Sequence, residues 1–524
     1  MVFLRSLQQG YAFAHQGQQS VPFMKKTVGI LSGLAIAIAA VTTAGAWYTG
    51  KQLPAELERA IADGNRELSK AMPGNGGSMR MELVSLDQHL FSSTARYRLK
   101  VEDVWLEEDK PLNLDLTIVD QIEHGPFPWS RVKSLRLMPV MAVSNSALES
   151  TPSSESWFAA AGGRSPVQAQ TSLGYGGSVD GDLQLLPLKL AEDNGNALDF
   201  GGMTLSVTGD RQGDAVKFHG TAEPLKITLV GSDELPVTMQ FNGFRVGADL
   251  ARRNQADFLF GHLDMALDES RIVFGPRQQA LVIKGLEQNN LYTAQGDDRM
   301  EGRLEYKAAD ISFDGRAVGS ASMVMTLKSV DIPALQALGE LYQAHLPEMQ
   351  AAEEQGQTFA SGLTPQAKAA LQSQLQKVLA AKPQVALESF TFKTARGESR
   401  LSLAADLASP TSFELPSDQL GRQLVSRLQG RLSLSKPMIG DLATLQALLA
   451  GQDDPQAIAQ ASGQAGEMVG MMAVQSGLAT VQGDDVLATL DYADGMVDFN
   501  GQKMTLEAFT AYIGMRLNAL VPRG

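Results

Sequence analysis

The chain has 524 residues, of which 44% are hydrophobic and 19% charged, a globular composition long enough for roughly two to four domains. It contains no cysteine, which excludes disulfides, thiolate metal sites and cysteine nucleophiles together and suits an oxidising compartment. The formal net charge is −14, and no basic stripe interleaved with aromatics stands out, so nucleic acid is not an expected partner.

Residues 1–48 carry Arg5, Lys25 and Lys26 and no acid, which leaves about −17 on the remainder. Residues 1–23 read as a leader, and Met24-Lys25-Lys26 makes a better start for an export signal than Met1 does. From Val28 to Tyr48 the chain is uncharged and nearly all apolar or small, and its 21 residues at 1.5 Å rise cover roughly the 30 Å hydrocarbon core. Lys25 and Lys26 before the run place that end in the cytoplasm, and Trp47 and Tyr48 close it where interfacial aromatics belong. The expectation for 24–50 is a single inner-membrane anchor with the body in the periplasm. The rival is a signal peptide cleaved after Ala46; against it, the apolar run is longer than an h-region usually is. Gly29, Gly33 and Ala37 form a GxxxGxxxA stripe, which predicts a homodimer through the anchor.

Gln52–Met72 reads as a juxtamembrane helix with Leu57, Ile61, Leu68 and Met72 on one stripe, ended by Pro73-Gly74. Period-two alternation then takes over. It runs through Met79/Met81/Leu83, Ala95/Tyr97/Leu99/Val101 and Leu112/Leu114/Leu116/Ile118, and returns at Met203/Leu205/Val207, Leu225/Ile227/Leu229, Met323/Met325/Leu327 and Leu401/Leu403/Ala405. Such runs predict at least twelve half-buried antiparallel strands, broken by Gly, Asp and Asn turns. Ser144–Pro166 reads as a loop with a short helix. Asp331-Ile332-Pro333 and Thr364-Pro365 open helices to about His345 and Lys382. Gly440–Gly451 and Pro455–Leu478 are rich in Ala, Gln, Gly and Met, and Thr505 opens a last helix. The fold class is α+β: a β-rich region over 51–330, a helical insertion over 331–384 and a mixed α/β region over 385–524.

Three stretches carry a likeness: Gly45-Ala-Trp-Tyr-Thr-Gly-Lys51, His124-Gly-Pro-Phe-Pro128 and Asn500-Gly-Gln-Lys-Met-Thr-Leu-Glu-Ala-Phe509. In this order and spacing, from about Met24 onward, the chain resembles the YdgA/YihF family of Gram-negative envelope proteins. The resemblance implies one inner-membrane anchor, a periplasmic body and no assigned catalytic residues.

Catalytic and cofactor signatures fail. No HExxH or GxSxG occurs, and the six histidines show no ligand spacing, so no metal or catalytic residue is assigned. Gly45-x4-Gly50-Lys51 mimics a phosphate loop, but Gln52 stands where Ser or Thr would hold magnesium. After Gly174-Tyr-Gly176 the third glycine of a dinucleotide fingerprint is missing, Val179 taking its place. Asp180-Gly-Asp182 and Asp297-Asp298 read as turns. His124 lies near Asp120 and Glu123 in sequence, as acid–base work would require, but the structural reading of it is the better one and no catalytic role is expected. Its segment also reads as a structural corner: Gly125, Pro126 and Pro128 fix the chain, with Phe127 and Trp129 anchored into the body. Met468, Val469, Met471 and Met472 form a stripe that is either ordinary helix core or an adaptable docking face.

The expected function is a non-enzymatic envelope module without a cofactor. Between Met79 and Leu327 the alternating apolar face needs a cover, and an acyl chain of a lipid is the expected one. The alternative is a scaffold that docks a protein partner through its helices, and a periplasmic enzyme is the least expected reading.

Overall fold

The computed structural model describes residues 57–58, 61–62, 64–65, 78–105, 111–231, 235–253, 258–345, 348–349, 352, 362–452 and 454–520. The expected leader and anchor, with Val28, Gly29, Gly33, Ala37, Trp47 and Tyr48, lie outside these residues, as does most of the expected juxtamembrane helix. Among the described residues no helix is long and apolar enough to cross a membrane. The chain divides into two compact units: residues up to 251 with 270–279 and 343–362, and residues 252–269 with 280–342 and 363–524.

The first unit opens with β1 (Ser78–Gln88), β2 (Ser92–Trp105) and β3 (Pro111–His124), followed by α1 (Trp129–Lys133), β4 (Ala142–Leu148), α2 (Glu155–Ala160), β5 (Val167–Leu173) and β6 (Ser178–Leu185). The strands pair antiparallel in chain order from β1 to β6. Their inward positions recur every second residue, and Met81, Tyr97, Leu99, Leu116 and Ile118 are at most 1% exposed. The cover is the chain's own: Leu57 and Ile61 from the helical residues before β1, and Trp157 and Phe158 from α2. Asn65 pins the edge strand, donating to the Met81 carbonyl (3.0 Å) and accepting from the Met81 amide (2.8 Å). This part of the expected open face is therefore closed.

Next come β7 (Leu188–Ala191), β8 (Ala197–Phe200), β9 (Met203–Asp210), β10 (Ala215–Ala222), β11 (Leu225–Val230), β12 (Pro236–Asn242) and β13 (Phe244–Arg252). The registers show four long strands, each bent once. β6 meets β9 and β7 meets β8; β9 meets β10 and β8 meets β11; β10 meets β13 and β11 meets β12. The bends fall in line at Leu186-Pro187, Gly201-Gly202, Glu223-Pro224 and Gly243. Proline donates no ladder hydrogen bond, which suits a bend. Gly202 sits at φ +107, and a Cβ there would lie 2.9 Å from the Leu185 carbonyl oxygen, so only glycine fits.

The second unit holds part of β14 (Leu259–Phe274), then β15 (Gln279–Gln295), β16 (Arg299–Phe313), β17 (Arg316–Asp331), α3 (Ile332–Ala344), α4 (Pro365–Ala380), β18 (Gln384–Lys393), β19 (Glu398–Leu407), α5 (Ser417–Leu424), β20 (Val425–Ser435), α6 (Lys436–Leu449), α7 (Pro455–Ser476), β21 (Thr480–Gln482), β22 (Asp485–Ala493), β23 (Met496–Phe499), β24 (Gln502–Thr505) and α8 (Leu506–Leu520). Strands β15 to β20 and then β22 to β24 form an antiparallel meander, with β21 against β22. Register shifts in β16–β17, β17–β18, β18–β19 and β19–β20 mark bulges, which bend a strand and increase its twist. The helix starts follow capping rules: Thr364 accepts from the Ala367 amide, Ser435 from Met438, and Asp454 from Gln456. Gly477, at φ +69, ends α7.

Two local expectations need correction. Ser144–Leu148 belongs to β4 instead of a loop, because Ser144 and Ser146 face a buried carboxylate that takes their hydroxyls. Asp180-Gly-Asp182 lies inside β6, where Asp182 Oδ1 accepts from Ser206 Oγ at 2.7 Å. Asp297-Asp298 is a turn.

Candidate functional site: an open apolar sheet face

Residues directly opposite each other in antiparallel strands share a face, so the registers of the second unit can be read as rows. One row runs Asn290, Leu304, Met325, Leu387, Leu403, Gly430, Leu490. Its neighbours run Gln288, Tyr306, Met323, Phe390, Leu401, Leu432, Ala488 and Tyr292, Gly302, Leu327, Val385, Ala405, Leu428, Tyr492. Seven strands at about 4.8 Å spacing make this face roughly 29 Å wide. The other face is polar: Arg303 donates to Glu388 Oε2 (2.6 Å) and Glu305 Oε1 (2.8 Å), and Gln429 to Asp491 Oδ1 (2.7 Å).

Among the described residues, cover on the apolar face lies at its margins. Phe258, Phe260, Met300, Val330 and Ile332 pack with Tyr292 and Leu327. At the other margin Leu506, Phe509, Tyr512 and Ile513 of α8 cover Leu428, Leu490, Tyr492 and Phe499. Between them Val385 is 37%, Phe390 40%, Leu401 37% and Leu403 44% exposed. The centre of the face is thus a partly exposed apolar patch, flanked in the same rows by half-buried Leu304, Met323, Met325 and Leu387. The open face expected between Met79 and Leu327 is covered over β1–β6, and the exposed centre lies beyond Leu327, on β18 and β19.

In the first unit, Asp120 on β3 points into the core between Ile118 and Ile122 and is fully buried. Ser144 Oγ donates to its Oδ1 at 2.6 Å. Burial is the largest influence on its carboxyl and pushes it up to about 6, against the Ser144, Ser146 and Tyr97 hydroxyls and the Asn145 amide, which act to lower it. The Tyr97 hydroxyl is pushed far up by burial and by the nearby Asp120 charge, yet neither Tyr97 Oη nor Asp120 Oδ2 has a well-aligned partner. No substrate reaches a carboxyl with zero exposure, so this cluster is a polar row within the core.

His124, four residues on and also inward, is half-buried; its Nε2 lies 2.8 Å from Ser93 Oγ, and burial holds its pKa below the usual value. The ring therefore stays neutral at pH 7. Gly125 has φ +92, Val140 donates to the Pro126 carbonyl, Pro128 is buried, and Glu123 Oε2 accepts from the Ser130 amide at the start of α1. Phe127 and Trp129 do not anchor the corner: they are 60% and 63% exposed. With the corner held by backbone hydrogen bonds, their rings are left outside.

The methionine stripe also turns outward, with Met468, Met471 and Met472 at 56%, 60% and 48% exposure. Helix α7 buries its small residues instead: Ser462, Gly466 and Gly470 are inward, and a Cβ on Gly466 would lie 2.6 Å from the Lys436 carbonyl of α6. Close approach of two helices selects the small face, which leaves the methionines in water. Among the described residues no group of three or more His, Asp or Glu side chains is placed to hold a metal. Gln121, Asn145, Gln170 and Gln184 help line a hollow of about 560 Å³ on the outer face of β3–β6, where Gln170 Nε2 donates to Asn145 Oδ1 at 2.7 Å.

The family model described as "Bacterial protein of unknown function (DUF945)" matches residues 24–507. The chain belongs to this family. Among curated relatives of the DUF945 chain, Protein YdgA of Escherichia coli K12 is 25% identical over 494 residues, covering 92% of this chain and 96% of the relative. Uncharacterized protein YihF of the same organism is 22% identical over 490 residues, covering 92% and 98%. An uncharacterized Haemophilus influenzae protein is 25% identical over 162 residues, 31% of this chain and 42% of the relative. No solved structure matches. The YdgA/YihF likeness seen in the three sequence motifs is thus a relationship over most of the chain.

Proposed function

We propose that this DUF945 protein is a non-enzymatic module of the bacterial envelope that holds lipid acyl chains on the open apolar face of β15–β22. The observation that carries the reading is the exposed centre of that face, Val385, Phe390, Leu401 and Leu403, framed by margins the chain has covered for itself. An acyl chain spans one leaflet, about half of the roughly 30 Å hydrocarbon core, and so fits within a face roughly 29 Å wide. The central rows carry no charged side chain. Apart from Tyr492, which α8 covers, their polar groups are Gln288, Asn290, Tyr292 and Tyr306 on the β15–β16 side, so a headgroup belongs at that margin and the acyl chain on the rest of the face. The apolar run Val28–Tyr48, as an inner-membrane anchor, would keep such a module beside its lipid source and leave the body in the periplasm.

The test is a titration of the full chain in mild detergent with a fluorescent fatty acid, against Phe390→Glu and Leu403→Glu. Binding to the wild type and its loss in both variants, with unchanged thermal unfolding, supports the reading; equal binding by all three rejects it.

A second reading has its own observation. The exposed Met468, Met471 and Met472 make an adaptable apolar helix face that suits a protein partner, in line with a scaffold role. A photocrosslinker at Met471 that captures only lipid would count against it.

A further inference from the structure

We propose that the exposed corner after β3 is a membrane-docking surface that seats the first unit on an anionic phospholipid bilayer. Phe127 and Trp129 are 60% and 63% exposed, and Leu135 and Met138, just past α1, reach 83% and 76%. The β1–β2 turn adds Leu90 and Phe91, at 84% and 74%, and is tied to the corner by the hydrogen bond from the His124 amide to the Phe91 carbonyl (2.8 Å). These side chains stand on a backbone held by its own bonds: Val132 to Pro128, Leu135 to Val132 and Arg136 to Arg131. The patch is therefore a built surface.

Charge decides the occupant. From His124 to Leu148 the chain carries Arg131, Lys133 and Arg136 and no acid, on a protein of net charge −14. The Lys133 ammonium sits 5.4 Å from the centre of the Trp129 ring. Aromatic and aliphatic side chains beside cations match a bilayer interface, where rings lie at headgroup depth and cations meet lipid phosphates. Arg131 is turned inward, its Nη1 donating to Ser172 Oγ at 3.4 Å, so Lys133 and Arg136 are the exposed cations. Each basic residue near an anionic surface strengthens attachment roughly fivefold, so these two give about twenty-five-fold. The run is short and the chain as a whole is acidic, so overall composition gives no sign of it.

This inference does not rest on the open sheet face, and its test reads no residue of that face. The chain has no cysteine, so Met138→Cys offers a unique site for a nitroxide label. The labelled full chain is reconstituted into vesicles of phosphatidylcholine alone or with phosphatidylglycerol. The expected result is a several-fold fall in the label's accessibility to a water-soluble nickel complex, with a rise in accessibility to oxygen, when phosphatidylglycerol is present. Lys133→Glu/Arg136→Glu should abolish that difference. A label equally open to nickel in both lipids overturns the proposal. So does nickel protection that follows protein density instead of phosphatidylglycerol content, which would assign the patch to a protein partner.

Discussion

Ionising Asp120 puts a charge on the buried face of β3, and the stability of the first unit must register it. Its folded pKa, about 6, is raised above the ordinary 3.8. The favourable contribution of the protonated form is complete below about pH 3.8 and is lost as pH rises through 6, a change on the order of 3 kcal/mol. Asp120→Asn keeps an acceptor for Ser144, offers a donor to Tyr97 Oη and removes the charge. Calorimetry should find this variant more stable than the wild type at pH 7, with the gap closing towards pH 4. At the corner, Phe127→Ala should change stability by no more than about 0.5 kcal/mol, since the ring is exposed. Gly125→Ala, at φ +92, should cost roughly 1–2 kcal/mol in the same melts.

Helix α7 shows how far an element was legible. Its ends were in the sequence, since Asp454 and Pro455 start it and Gly477 stops it. Which side it would bury was not, because a stripe of Met468, Met471 and Met472 reads as core until the close approach of α6 is known. Gly466→Val forces a branched side chain against the Lys436 carbonyl and should separate α6 from α7, costing about 1–3 kcal/mol in chemical denaturation. Met471→Gln, on the outer side, should leave the midpoint unchanged. The strands tell the same story: alternation gave their faces at Met81, Leu116 and Leu403, but β4 was hidden because Ser144 and Ser146 look like loop residues. They are strand residues here because Asp120, on the adjacent strand and 24 residues away from Ser144 in sequence, accepts their hydroxyl bonds. A partner that distant leaves no local trace.

At the scale of the whole molecule, the two units use one device to different ends. Both are antiparallel meanders with an apolar face. The first closes much of that face with Leu57, Ile61 and Trp157, whereas in the second the middle of the face stays partly exposed among the described residues. Alternation in a sequence says that a face is apolar and says nothing of what lies on it, so the sequence could not separate the closed face from the open one. The measurement that tests the lipid reading most directly is native mass spectrometry of the full chain extracted from bacterial membranes in mild detergent. The account predicts adducts with the masses of phospholipids or fatty acids that survive detergent exchange in the wild type and are absent from Phe390→Glu/Leu403→Glu. A wild type that flies without lipid, or adducts equally abundant in the double variant, would contradict it.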